Sequence, residues 1–297
     1  MQALIPENHL PIWVTIDEAE PGPSLVSFLK EIRPYGVLLF SRHLVSPAQV
    51  ASLNRTIHET DPDIRIALDQ EGGRVNRLAS LGFEFESAED TAGDEGRAAK
   101  LAHTMGKVLR DLGFDVDFAP VADLGPALPG TGLETRLFGR EAGIVTRCCR
   151  AFLHALKEEQ IEGCLKHFPG LGGSRVDSHH SLPAVEGSTR ERTRHLAPYR
   201  ALAGEAPYVM TAHLKCPGMA IDRPASLHPA TYRMLAGLGF EGLSVTDDLS
   251  MGAAAGEGTL AGRAAQGLRS GADLALWVSS QRESLAVAQA LRESGLP

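Results

Sequence analysis

This 297-residue chain lacks the features of a membrane protein, a nucleic-acid binder or a disulfide scaffold. No apolar run approaches the roughly 20 residues that cross a bilayer. The start, Met1 to His9, has neither a basic segment nor a sustained apolar stretch, so no secretory signal is expected and the expected location is the cytoplasm. Basic residues are outnumbered 29 to 37, for a formal charge of -8. That balance argues against nucleic acid and anionic membrane as partners and favours a small neutral substrate. Cysteine is limited to Cys148, Cys149, Cys164 and Cys216. None shows a Cys-x-x-Cys spacing, so free thiols are expected rather than disulfides or a zinc site. The first apolar run leads into Ile16-Asp17-Glu18-Ala19 with no glycine-rich phosphate turn, and no Walker-type Gly-Lys-Ser/Thr occurs. There is no His-x-His on the first strand and no His-Glu-x-x-His helix. No cofactor and no metal are therefore expected. No Pro/Ser-rich linker divides the chain, which ends at Pro297 soon after its last helical pattern. A single domain over 1–297, acting as a monomer, is the expectation.

What is present is core material, with 43% hydrophobic residues, arranged with a regular rhythm. Short apolar runs predict eight strands: Ile12–Ile16, Val37–Phe40, Ile64–Leu68, Val116–Ala119, Cys164–His167, Tyr208–Ala212, Leu243–Thr246 and Leu274–Val278. Between and after them, helices are predicted over Ser24–Ile32, Pro47–Thr60, Ala92–Leu112, Ala142–Gln160, Arg190–Leu202, Pro229–Leu238, Gly258–Ser270 and Arg282–Glu293. Ser46-Pro47 reads as an N-cap with proline in the first turn, and Gly113 and Gly239 read as helix C-caps. Strands buried on both faces and alternating with helices predict a parallel sheet. Eight such units in this length suit a single-domain (β/α)8 TIM barrel, with a doubly wound open sheet as the alternative.

A barrel places chemistry at the C-terminal ends of its strands. Five predicted strands end there in polar groups: Asp69, Asp123 with Arg136 in the loop beyond, Lys166-His167, His213, and Asp247-Asp248. Each has a plainer explanation. Asp69 can cap the turn before Gly72-Gly73, Arg77 can be a solvated arginine, and one of Asp247 and Asp248 can cap the next helix. The richest stretch is Lys166-His167-Phe168-Pro169-Gly170-Leu171-Gly172, followed by Asp177-Ser178-His179. The spacing from Asp177 to His179 lets the carboxylate hold one ring nitrogen while the other faces substrate, giving a proton shuttle. A carboxylate at a strand end then suits attack on an acetal carbon. Asp69, Arg77, Arg136, Lys166 and His167 would supply directional hydrogen bonds to a polyhydroxylated ligand. The competing classes are a metal-dependent barrel hydrolase, a Schiff-base lyase using Lys166, and a non-catalytic carbohydrate-binding barrel.

Three motifs in order resemble glycoside hydrolase family 3, in its bacterial β-N-acetylhexosaminidase branch. They are Asp69-Gln-Glu-Gly-Gly-Arg-Val-Asn-Arg77, Lys166-His-Phe-Pro-Gly-x-Gly with Asp177-Ser-His179, and Thr246-Asp247-Asp248-Leu-Ser-Met251. The similarity runs from about Gly36 to Gly252. It implies a (β/α)8 barrel that removes terminal β-linked N-acetylglucosamine from peptidoglycan fragments through a covalent glycosyl-Asp intermediate. By the resemblance, Asp247 is the nucleophile and His179 the acid/base with Asp177 as its partner. Sugar-binding roles fall on Asp69, Arg77, Arg136, Lys166 and His167. Leu171 departs from the pattern, since many relatives carry a second His in that Pro-Gly-x-Gly turn.

Overall fold

The computed structural model describes residues 5–295. In chain order the elements are β1 (Leu10–Val14), α1 (Pro23–Ile32), β2 (Pro34–Leu39), α2 (Pro47–Thr60), β3 (Arg65–Leu68), the hairpin strands β4 (Gln70–Gly72) and β5 (Val75–Asn76), α3 (Glu95–Leu112), β6 (Val116–Asp117), α4 (Ala142–Glu158), β7 (Glu162–Phe168), α5 (Thr189–His195), α6 (Ala197–Leu202), β8 (Tyr208–Thr211), α7 (Pro229–Gly237), β9 (Leu243–Thr246), α8 (Leu260–Ser270), β10 (Ala275–Leu276) and α9 (Gln281–Glu293). Hydrogen bonding follows the order β10-β1-β2-β3-β6-β7-β8-β9. All these pairings are parallel. A further parallel bridge between Val245 and Leu274 joins β9 to β10, so the sheet closes on itself. The result is the (β/α)8 barrel that the strand–helix rhythm predicts.

Local chemistry sets the boundaries. Ser46 accepts a hydrogen bond from the Gln49 amide at the start of α2, with Pro47 in the first turn. Asp94 caps α3 through the Arg97 amide, and Gly113, at φ 85°, ends it. Alternation along the strands divides the core. Ile12, Val14, Val37 and Leu39 face the helices. Trp13, Leu38, Ala67 and Phe118 fill the barrel interior. Trp13 is packed so closely that a Cβ at Gly36 would lie 2.2 Å from its ring, which leaves room only for glycine. In the same interior the Tyr35 and Tyr208 hydroxyls stand 2.6 Å apart, and Tyr208 donates to Glu162 at 3.1 Å.

Some elements differ from the sequence expectation. The helix expected over Arg190–Leu202 is two, α5 and α6. Pro198 falls in the first turn of α6 and cannot supply the amide that would continue one helix across Leu196. α3 begins at Glu95 rather than Ala92, because Gly93 at φ 78° and the Asp94 cap occupy the preceding positions. The fourth and eighth barrel strands shorten to Val116–Asp117 and Ala275–Leu276. The β4–β5 hairpin was not expected. No helix among the described residues is long and apolar enough to cross a membrane.

Candidate active site

The C-terminal rim of the barrel holds a cavity of about 580 Å³, within the size range of small-molecule sites. All eight residues expected at the site line it: Asp69, Arg77, Arg136, Lys166, His167, Asp177, His179 and Asp247. They arrive from four barrel strands or the loops that follow them, which is how a barrel assembles a site from distant sequence.

One wall is a chain of alternating charges. Lys166, only 2% exposed on β7, donates from Nζ to Asp69 Oδ1 at 2.8 Å and reaches Glu71 Oε1 at 2.6 Å. Glu71 in turn receives both arms of Arg136, Nε to Oε2 at 2.7 Å and Nη2 to Oε1 at 2.9 Å. Burial alone would keep the Glu71 acid protonated, but Arg136 and Lys166 outweigh it and hold the carboxyl well below the usual range. Burial likewise works against the Lys166 charge, yet Asp69 and Glu71 raise its pKa above that of an ordinary lysine. Lys166 is therefore a fixed cation. A Schiff-base lyase needs a neutral amine there, and the ion pairs deny it.

His167 continues the wall. Its Nδ1 lies 2.7 Å from Asp123 Oδ2, so Nδ1 carries the proton and Nε2 is left as an acceptor facing Arg136 Nη2 at 3.4 Å. The other Asp123 oxygen accepts the Leu171 amide at 2.6 Å. Asp123 is fully buried. Arg77 stands apart, with its guanidinium carbon 5.7 Å from the centre of the Phe40 ring and a buried Nε that has no protein partner. Below Asp69 and Lys166, Asp117 accepts the Gln70 amide at 2.9 Å through one oxygen while the other is buried without a partner. Burial pushes its acid well up, against the pull of the Gln70 amide and the Lys166 charge.

Across the cavity the paired acids after β9 separate into distinct environments. Asp248 Oδ1 accepts the amides of Ser250 and Val278, each at 2.9 Å, and the Ser250 hydroxyl at 2.7 Å. Its carboxyl is raised by burial. Asp247 accepts only the Asp248 amide, at 2.8 Å through Oδ1, which leaves the rest of its carboxylate to the cavity. Burial works against its charge, but the His213 and His167 imidazoles and that amide hold it below the usual carboxylate range. His213 is itself fixed between Ser226 Oγ at 2.6 Å and the Asp248 carbonyl at 2.8 Å. Asp248 thus shapes the turn, and Asp247 is the acid presented to a ligand.

The third wall is the loop after β7. Asp177 Oδ1 lies 2.6 Å from His179 Nδ1 and accepts the His179 amide at 2.9 Å. Burial works against the Asp177 carboxylate, but these two bonds outweigh it and lower its pKa. The His179 side chain is 62% exposed, with Nε2 free. The loop does not hang loose. The Gly252 and Ala253 amides donate to the His179 and Ser178 carbonyls at 3.1 and 3.3 Å, tying the dyad to the segment that follows Asp247. A Cβ at Gly132 would lie 3.2 Å from the Asp177 carboxylate, so the loop after β6 closes in from the other side.

Two residues given no role from sequence organise this site. Glu71 is hidden inside the Asp69 motif, and its part emerges only when β4 turns it back towards β7. Asp123 is visible as a polar strand end, but its double use of His167 and Leu171 is not. Among the described residues no group of three His, Cys, Asp or Glu side chains converges as metal ligands.

The sequence profile of the glycosyl hydrolase family 3 N-terminal domain matches residues 17–296. The chain belongs to glycosyl hydrolase family 3. Among curated family 3 relatives, the β-hexosaminidase LpqI of Mycobacterium tuberculosis is 36% identical over 251 residues, which is 79% of this chain and 64% of that protein. A family 3 β-N-acetylglucosaminidase from a Paenibacillus species superposes with a TM-score of 0.88 at 31% identity, covering 96% of this chain and 57% of that one. NagZ from Neisseria gonorrhoeae, solved with N-trifluoroacetyl-D-glucosamine, gives 0.85 at 28% identity, covering 97% and 86%. The chain thus spans less than two thirds of the length of the first two relatives.

Proposed function

We propose that this chain is a retaining exo-β-N-acetylglucosaminidase that needs neither metal nor organic cofactor. The observation that carries the reading is one cavity faced by a free carboxylate, Asp247, and by an Asp-oriented imidazole, His179. His179 Nε2 protonates the leaving oxygen while Asp247 attacks the anomeric carbon, and His179 then deprotonates the water that releases the sugar. Asp177 holds the Nδ1 proton and stabilises the imidazolium.

Asp69, Arg77, Lys166 and His167 would hold the sugar's hydroxyl and amide groups. Lys166 spends two of its three donors on Asp69 and Glu71, which leaves one for ligand. Arg136 is more committed still, to Glu71 and to the Gly132 carbonyl at 2.8 Å, so its share is to fix the wall. The names of the relatives, β-hexosaminidase and β-N-acetylglucosaminidase, support the choice of sugar. Peptidoglycan fragments are the source that the family resemblance implies. Four free, buried thiols fit a reducing compartment, and the reading includes a cytoplasmic monomer with no nucleic-acid or membrane partner.

The deciding experiment is intact mass and peptide mapping after a slow fluoroglycoside inactivator that retains the 2-acetamido group. A mass gain on the peptide bearing Asp247 is expected. A gain elsewhere, or none despite turnover of an aryl β-N-acetylglucosaminide, overturns the assignment.

A further inference from the structure

The root of the acid/base loop, Gly170-Leu171-Gly172, is held in unusually close quarters. A Cβ at Gly172 would meet the Leu124 carbonyl oxygen at 1.8 Å, and one at Gly170, where φ is +117°, would meet the His195 side chain at 2.6 Å. These positions accept only glycine. Every polar main-chain group named here at the root is taken by a charged side chain that does not reach the cavity. The Leu171 amide goes to Asp123. The two flanking carbonyls go to Arg192, which donates from Nη1 to Gly172 at 3.1 Å and from Nη2 to Gly170.

Arg192 lies on α5, only 3% exposed, with its Nε buried and unpartnered. A guanidinium is costly to bury, and one given to two neutral carbonyls is unlike a surface cation folded down by chance. α5 is itself pinned. Ser188 and Glu191 form a reciprocal cap at its start, and Thr189 donates to the Gly218 carbonyl at 2.8 Å, on the segment that follows β8. Gly252 and Ala253 hold the loop at Ser178 and His179 themselves, and Arg192 holds its root at Gly170 and Gly172.

We propose that Arg192 is a positioning residue for His179, clamping the Gly170 and Gly172 carbonyls so that the imidazole is presented opposite Asp247. The proposal rests on the assignment of His179 as acid/base. The sugar-holding wall is built on β3, β4 and β7, and its side chains make no hydrogen bond to Arg192. Its ties to the root are Asp123, which holds both His167 and Leu171, and the Gly170 amide on the His167 carbonyl. Loss of Arg192 leaves the Asp123 hold in place, so it impairs proton transfer and spares sugar affinity. Proton transfer tolerates little displacement, since a shift of 1 Å costs up to about 100-fold.

The test compares kcat/KM on N,N′-diacetylchitobiose, whose leaving group needs a proton, with kcat/KM on 4-nitrophenyl β-N-acetylglucosaminide, whose leaving group does not. Inhibition by free N-acetylglucosamine gauges the sugar wall. Arg192→Met is expected to lose about 10- to 100-fold on the disaccharide, with little loss on the aryl substrate and an unchanged inhibition constant. Arg192→Lys, which can reach one carbonyl, is expected to fall between. Equal losses on both substrates mean a merely structural role and overturn the proposal, as does no loss on either. If Arg192→Met is insoluble, Arg192→Lys decides by the same ratio. His179→Ala run alongside separates the two ideas: if it shows no leaving-group selectivity, the acid/base assignment itself fails.

Discussion

Asp123 touches neither cavity nor solvent, yet one of its oxygens fixes the tautomer of His167 and the other holds the loop root through Leu171. Replacing it with alanine strands three buried donors, the His167 amide and imidazole and the Leu171 amide. Asp123→Ala should cost about 3 kcal/mol of stability by denaturant unfolding, and should weaken inhibition by free sugar. Asp247 and Asp248 make a sharper pair. Asp247→Ala should lower kcat by at least about 1,000-fold with the fold intact. Asp248→Ala should retain far more turnover than Asp247→Ala and lose stability instead, because its Oδ1 holds the Ser250 and Val278 amides. Glu71→Gln leaves Lys166 and Arg136 short of a buried counter-charge and should destabilise by about 3–5 kcal/mol, visible as a lowered Tm. At this scale the sequence was most readable where chemistry is local. The Asp177–His179 pair is two residues long, and its hydrogen bond is implied by the spacing. The strand pattern could not choose between Asp247 and Asp248, because the choice depends on amides from Ser250 and from Val278 on the far side of the barrel seam.

Among the elements, the helices with strong caps were the easiest to place, and those interrupted by proline or glycine the hardest. The β4–β5 hairpin escaped notice because three- and two-residue strands have no hydrophobic period to detect. Its importance is out of proportion to its length, since it delivers Glu71. The segment after β9 gives a test of the loop anchor. A Cβ at Gly252 would lie 2.6 Å from the His180 carbonyl oxygen, so Gly252→Ala must push the dyad away. Turnover of the disaccharide should fall more than that of the aryl glycoside. The turn after β2 gives a test of pH dependence. His43 accepts the Phe40 amide at Nδ1 and donates from Nε2 to the Ile16 carbonyl, and burial, followed by the nearby Arg42, lowers its pKa to about 4. The unfolded chain takes up this proton near pH 6.5 while the folded chain refuses it until about pH 4. Stability is therefore complete above pH 6.5 and should fall by up to about 1.4 kcal/mol per pH unit on acidification through that window. Urea unfolding at pH 7 and pH 5 measures the slope, and His43→Gln should make it shallower without removing it, because burial lowers His195 to about 4 as well.

For the whole molecule, fold class was legible because the barrel strands are almost wholly buried and the crossovers between them carry helices, a pattern with few solutions. Closure itself was not legible, since it depends on one bridge between Val245 and Leu274 at the seam. The barrel also separates its two ends by chemistry. Aromatic rings and the Tyr35–Tyr208 pair fill the interior away from the cavity, with one Arg65–Glu162 pair beneath them, while the titratable groups of the site gather at the rim. This polarity bears on how the protein can be handled. Six lysines occur in the sequence, and Lys166 is the one sealed inside ion pairs. Lys30, Lys100, Lys107 and Lys157 are exposed on helices, with Lys30 and Lys157 in the last turns of α1 and α4, at the end of the barrel opposite the cavity. The sixth, Lys215, is half-buried on the segment after β8, at the cavity end, where its backbone pairs with Pro183 and Val185. An amine-reactive bead or label should therefore attach mainly to the four exposed lysines on the flanks and underside and leave the mouth open. The protein should keep most of its turnover when coupled through its lysines.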